Sequence, residues 1–204
     1  MKLYYAPTLN ARKACAVARH LQIGIDYELV DLSRGEQHCE AFARLNPNRK
    51  VPLLVEGRRS LWEANAIMCR LSQIAGAPLW PGPEQQAEVL RWLSWDAAHF
   101  TRFGGELYFQ RLIRPHIQTG PVDAAAVREA EAGFRASAAI LDDALEGRAW
   151  AIGSDLSIAD FALASALPYA EPAGIPFGDF PRIRRWYEAL NELEGWRRPF
   201  PDSP

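Results

Sequence analysis

Two short stretches hold the residue types best suited to chemistry: Asn46-Pro47-Asn48-Arg49-Lys50-Val51-Pro52-Leu53-Leu54 and Leu61-Trp62-Glu63-Ala64-Asn65-Ala66-Ile67. Proline cannot donate to a β ladder and is normally excluded from central strands, so a Val-Pro step leading into an apolar run needs a reason. One reason is a ligand that acts as the missing partner strand. Proline at 52, in a cis bond, would turn the backbone so that Val51 offers its own N–H and C=O to an extended peptide. Glu63 then opens a helix beside that position, and together the two segments describe a site for a small peptide's backbone and charged end.

A second group, Tyr4-Tyr5-Ala6-Pro7-Thr8-Leu9-Asn10-Ala11-Arg12-Lys13, places small polar side chains where a strand passes into a helix. Unpaired N–H groups and the positive end of the helix dipole favour an anion there, and a thiolate held by such donors has a lowered pKa. A free thiol titrates near ~8.5, so each unit of lowering gives nearly tenfold more nucleophile at neutral pH. Thr8 and Asn10 can supply the donors. The same residue types also cap helices without any ligand, and the sequence leaves both readings open.

These residues need a scaffold, and the hydrophobic periodicity supplies one. Residues 2–6 form a β-type run, and 11–23 carry Ala14, Val17, Ala18 and Leu21 at helical spacing. Ile25, Tyr27 and Leu29 alternate with acidic residues as a second strand, and Gly35–Leu45 is a weaker helix or irregular turn. Leu53-Leu54-Val55 and Arg59-Ser60-Leu61-Trp62 predict a hairpin across Glu56-Gly57-Arg58, followed by a helix marked by Ile67, Leu71 and Ile74. The segment from Gly76 to Pro83 has five Gly or Pro among eight residues, which ends the helix and marks a boundary. The expected organisation is an α/β domain over 1–75, a linker over 76–84 and an all-helical domain over 85–204. In the last, Leu90, Leu93 and Ala97 accompany Trp92, Trp95, His99 and Phe103 on one helix, and an Ala-rich helix carries Val127, Phe134, Ile140, Leu141 and Leu145. Ser157-Ile158-Ala159-Asp160 reads as a helix-capping box.

Bulk composition narrows the partner. The 204 residues include 23 Lys+Arg and 25 Asp+Glu, a formal charge of -2 that would gather neither nucleic acid nor anionic lipid. Cys15, Cys39 and Cys69 lack metal-ligand spacing and form an odd set, which suits reduced thiols in the cytoplasm, with no metal site expected. Neither a leader-type apolar region nor a run near the ~20 residues of a membrane span is present. A small molecule is the expected partner, with no nucleic acid and no membrane.

With these motifs in place, the chain resembles the cytosolic glutathione transferases along nearly its whole length. Residues 1–75 resemble their thioredoxin-like, glutathione-binding domain, and the remainder resembles their all-α domain. Val51-Pro52 matches the family's Val-Pro step, whereas Glu63-Ala64 matches only half of its Glu-Ser pair; Ser157 to Asp160 matches its folding box. The resemblance implies glutathione as co-substrate, bound by Val51, Pro52, Glu63 and Ala64, and a homodimer in which the helical domain contributes the site for a small apolar electrophile or a disulfide. Ala64 lacks the serine hydroxyl, and a hydrogen bond to a charged group is worth roughly 1.5–3 kcal/mol. The loop Ala6–Asn10 is most similar to the bacterial nu class, which uses Thr and Asn at the sulfur, so Thr8 and Asn10 become the catalytic candidates. Gln37 falls where that class has a glutathione-contacting Gln, and Lys50 can neutralise the glycyl carboxylate. Tyr5 is a competing catalytic candidate, because a strand-end tyrosine activates the thiol in several classes.

The resemblance implies transferase activity, with glutathione-dependent disulfide reduction or a non-catalytic binding module as alternatives. No Cys-x-x-Cys is present in the first turn, so any redox sulfur comes from glutathione. Burial is the expected role of Cys15 and Cys69. The Trp92, Trp95, His99, Phe103 stripe suits core packing or a cleft for an electrophile, and packing is the commoner outcome of such spacing. An exposed tail bearing Trp196 and Phe200 is expected to close over that cleft.

Overall fold

The computed structural model describes residues 1–117 and 120–201. The chain divides into two units, one formed by Met1–Trp80 with the segment from Asn191 onward, the other by Pro81–Leu190.

In the first unit, β1 (Lys2–Tyr5), α1 (Leu9–His20), β2 (Asp26–Leu29), α2 (Glu40–Leu45), β3 (Leu53–Glu56), β4 (Arg59–Trp62) and α3 (Ala64–Ala75) follow one another, as the periodicity predicts. The weaker segment before α2 is a single 3₁₀ turn, Glu36–His38. The sheet order is β2-β1-β3-β4, with β1 parallel to β2 and the other pairs antiparallel. Alternation along the strands sends Tyr4, Leu53 and Val55 to one face, where they pack with Val30, Phe42 and Leu45 beneath α2. Leu3, Tyr5 and Leu54 take the other face, with the fully buried Ala14, Val17, Ile67, Met68 and Leu71 of α1 and α3.

Here the carboxy-terminal segment departs from expectation. Trp196 is fully buried, in α10 (Glu194–Arg197) against α1, and the ring of Phe200 stacks on Tyr5. The tail is thus part of the first unit's packing rather than an exposed flap. Its aromatic residues are needed because α1 otherwise presents an uncovered face.

The second unit is helical: α4 (Pro83–Trp95), α5 (Thr101–Tyr108), α6 (Ala124–Ala144), α7 (Ile158–Leu163), α8 (Ala170–Ala173) and α9 (Pro181–Asn191), with one isolated β-bridge between Trp150 and Gly153 among the described residues. The expected stripe is met only in part, and Asp96–Phe100 is a π-helical turn. The face that is buried, Val89, Trp92, Leu93, Asp96 and Phe100, repeats at three- and four-residue steps and lies beside the expected one, while Leu90, Ala97 and His99 are exposed. Phe103 lies against Gly133, where even a Cβ would come within 2.5 Å of its ring. The stripe therefore serves packing for the most part: Trp92 meets Trp95 edge-on at 5.2 Å, and Phe100 meets Phe134 at 4.7 Å.

The capping box forms as expected. Ser157 caps α7, and the fully buried Asp160 accepts hydrogen bonds from Ser157 N (2.9 Å), Ala151 N (2.8 Å) and the indole Nε1 of Trp186 (2.8 Å). Burial pushes the Asp160 pKa up, against hydrogen bonds that pull it down.

Candidate active site

One cavity of about 50 Å³ in the first unit is lined by Asn10, Asn46, Asn48, Lys50, Val51, Pro52, Trp62, Glu63 and Ala64. It gathers six of the residues singled out from sequence: Asn10, Lys50, Val51, Pro52, Glu63 and Ala64. They come from the first turn of α1, the segment before β3 and the entry to α3, which the sheet order β1-β3-β4 brings side by side.

The Val51-Pro52 bond is cis. The β3 ladder begins at Leu53, and Val51 makes no backbone–backbone hydrogen bond among the described residues, so its N–H and C=O are available to a ligand strand. The preceding loop is held by Asn46, which is 2% exposed. Its Nδ2 donates to Lys50 O at 2.7 Å, and its Oδ1 accepts from Asn48 N at 3.0 Å. Sequence reasoning gave Asn46 no role; the signal available was the local backbone bonding typical of asparagine in turns. Lys50 lines the cavity and is exposed.

Glu63 has φ 73° and ψ 115°, a conformation that costs a non-glycine residue about 1–3 kcal/mol and is retained mainly at functional positions. It precedes α3 without capping it, since its side chain makes no cap hydrogen bond. The carboxylate stays exposed and the first amides of a twelve-residue helix remain open to an anion. Ala64, 5% exposed, is the first residue of that helix. The cavity thus carries a cation at Lys50, an unpaired backbone edge at Val51, and a carboxylate beside an anion-attracting helix end at Glu63. A zwitterionic peptide with a free carboxylate at each end fits this set of charges.

Thr8 is the N-cap of α1, and its Oγ1 accepts from Ala11 N at 3.3 Å. The hydroxyl proton remains free to donate. Asn10, exposed in the first turn, is the α1 side chain that lines the cavity. Tyr5 does not line it. The ring is 8% exposed, stacks on Phe200 and meets Tyr27 edge-on at 6.0 Å, and burial pushes its pKa up. Gln37 is also outside the lining; it sits in the 3₁₀ turn with a buried Oε1 that has no hydrogen-bond partner.

Burial pushes the Cys15 thiol up to about 12, and Cys69 is raised for the same reason. Cys39 is exposed, and all three are free. Among the described residues there is no group of three or more His, Cys, Asp and Glu able to hold a metal, and no helix long and apolar enough to cross a membrane.

Residues 1–71 match the family model described as "Glutathione S-transferase, N-terminal domain", and residues 124–189 match "Glutathione S-transferase, C-terminal domain". Both halves being matched by one family, the chain belongs to the glutathione S-transferases: a thioredoxin-like α/β domain followed by a helical one. The fold is similar to that of glutathione transferase F2 from Populus trichocarpa, at 20% identity over 97% of this chain and 96% of that one, with a TM-score of 0.90. It is also similar to human glutathione-S-transferase T1-1, at 24% identity, covering 97% and 86%, with a TM-score of 0.87. A third similar structure is glutathione S-transferase-I bound with lactoylglutathione, at 21% identity, covering 97% of each chain, with a TM-score of 0.86.

Proposed function

We propose that the protein is a glutathione transferase whose cavity binds glutathione with its glycyl carboxylate toward Lys50, its cysteinyl backbone along Val51, and its γ-glutamyl end at Glu63 and the start of α3. The observation that carries this reading is the convergence of the Val51-Pro52 step, Lys50, Glu63 and Asn10 on one cavity. The Asn10 carboxamide and the positive end of α1, with the Thr8 hydroxyl behind them, favour the thiolate over the thiol. The thiol proton passes to solvent. The sulfur lone pair then forms a bond to an electrophilic carbon of a small apolar substrate, and the leaving group departs with its bonding pair.

The same thiolate can attack a disulfide sulfur, giving a mixed disulfide and releasing one substrate thiolate; the thiolate of a second glutathione then attacks the glutathione sulfur of the mixed disulfide, forming glutathione disulfide and releasing the other substrate thiolate. This second reading is favoured by the Thr8/Asn10 loop and Gln37, which resemble the bacterial nu class. A detoxifying homodimer in the cytoplasm, with neither nucleic acid nor membrane as partner, fits either activity. The test is to titrate the protein with glutathione and with glutathione disulfide by calorimetry, and to compare turnover of an aryl halide with that of hydroxyethyl disulfide. Asn10→Ala is expected to lower turnover by roughly a hundred- to a thousandfold, the usual range for losing one donor to a developing anion, while glutathione still binds. Undiminished turnover by Asn10→Ala would remove it from the chemistry, and absence of binding by either ligand would reject the site.

A further inference from the structure

The turn that presents Asn10 is bracketed by the end of the chain. Arg12 is 9% exposed, and its Nη2 donates to the carbonyl of Trp196 at 2.9 Å while the guanidinium lies 4.8 Å from the centre of that residue's ring. One face of α1 continues the contact. Arg19, seven residues on and therefore on the same side, donates through Nη1 to the carbonyl of Phe200 at 3.1 Å. Between them the backbones touch: a Cβ on Gly195 would lie 2.5 Å from His20 N and 3.0 Å from Ala16 O. Phe200 then stacks on Tyr5 at 5.8 Å, with the ring planes 15° apart. Tyr5 ends β1 and Arg12 belongs to the start of α1, so a single segment grips both sides of the Ala6–Asn10 connection. Asn10 and Arg12 are about 200° apart around the helix, which puts the grip opposite the carboxamide.

We propose that residues 191–201 are a positioning strap for the sulfur-binding turn, and that Arg12 is its positioning residue. This rests on the reading of Asn10 as the residue that addresses the glutathione sulfur. Burying a guanidinium is costly unless it is well bonded, and an apolar side chain could cover Trp196 equally well. What the arginine adds is direction: a planar fork fixes the Trp196 carbonyl relative to the first turn, where a lysine would hold only a point charge. Catalytic geometry is sensitive at this scale, and a displacement of about 1 Å costs up to about a hundredfold in rate.

The test compares Arg12→Lys and Phe200→Ala in the wild-type and Asn10→Ala backgrounds, each checked for folding by urea denaturation. In the wild-type background each variant is expected to lower kcat by roughly tenfold or more, with a glutathione Kd changed by less than about threefold, and to move the acid limb of the kcat/KM profile upward. In the Asn10→Ala background the same changes should cost less than about twofold, because no carboxamide remains to be positioned. Equal losses in both backgrounds, or none in a folded variant, would overturn the proposal. Hydrogen exchange at the Ala11 and Arg12 amides, which bond to Thr8 Oγ1 and Thr8 O, provides a readout independent of turnover. Should the wild type neither bind nor turn over glutathione, the functional reading fails by itself. Faster exchange at those amides in both variants would still support the strap, and unchanged exchange would overturn it.

Discussion

Replacing Ala64 with Ser tests the γ-glutamyl end of the site at one atom. Ala64 is the first residue of α3, 5% exposed, with its methyl in the cavity wall and its helix end uncapped by Glu63. A serine hydroxyl there stands beside the open amides and can donate to a ligand carboxylate already attracted by the helix dipole. Such a charge-assisted hydrogen bond is worth about 1.5–3 kcal/mol. Against it stands the loss of water from the new hydroxyl, on the order of 0.5–1 kcal/mol; serine's helix propensity, about 0.5 kcal/mol below alanine's, weakens the fold and cancels between the free and the bound protein. A net gain of roughly 1–2 kcal/mol remains, which lowers the glutathione Kd about five- to thirtyfold. The bond exists equally in ground and transition states, so KM should fall with kcat unchanged. Calorimetric titration with glutathione and with cysteinylglycine, which lacks the γ-glutamyl group, separates the effect from a general change in the cavity. A Kd unchanged within twofold in a stably folded variant would refute the assignment of this helix end, as would an equal gain for cysteinylglycine.

Three further outcomes are expected. Asp160→Ala strands the Trp186 indole N–H and the amides of Ala151 and Ser157, and should cost about 3–5 kcal/mol in urea unfolding; a loss below about 1 kcal/mol would show that water replaces the carboxylate. Burial lowers the His20 pKa below its ordinary 6.5, so the fold favours the neutral ring. The stability this contributes is present above the unfolded-state pKa and is lost as pH falls through it toward the folded value. Unfolding midpoints measured between about pH 7.5 and about pH 5 should therefore drop more for the wild type than for His20→Asn, and parallel profiles would contradict it. Under native conditions at mildly alkaline pH, iodoacetamide should modify Cys39 first and Cys69 slowly, while Cys15, fully buried and raised to about 12, reacts only after unfolding; peptide mass mapping that finds Cys15 labelled early would refute its burial.

Local patterning carried much of this architecture. Alternating and helical periods place all four strands and the first and third helices, because one buried face imposes a period of two or of 3.6 residues on the chain itself. The Val51-Pro52 anomaly, the Glu63 helix entry and the Ser157–Asp160 box were readable for a similar reason: each is completed by residues a few positions apart. The α4 stripe was misplaced because Trp92, Trp95, His99 and Phe103 and the face that is buried, Val89, Trp92, Leu93, Asp96 and Phe100, both repeat at helical steps, and a period alone does not choose between neighbouring faces.

What tertiary structure alone decided lies at long sequence separation. Asn10 lines one cavity with Val51 and Glu63 only because β1 lies beside β3. Tyr5 could be weighed against Asn10 from sequence, but its removal from the cavity wall depends on Phe200, at the far end of the chain. Likewise the tail looked like an exposed flap because its own composition shows aromatic residues without showing what they cover. Arg12 and Trp196 meet across 184 positions, and such a contact follows from which faces the folded chain leaves open, which is a property of the packed whole.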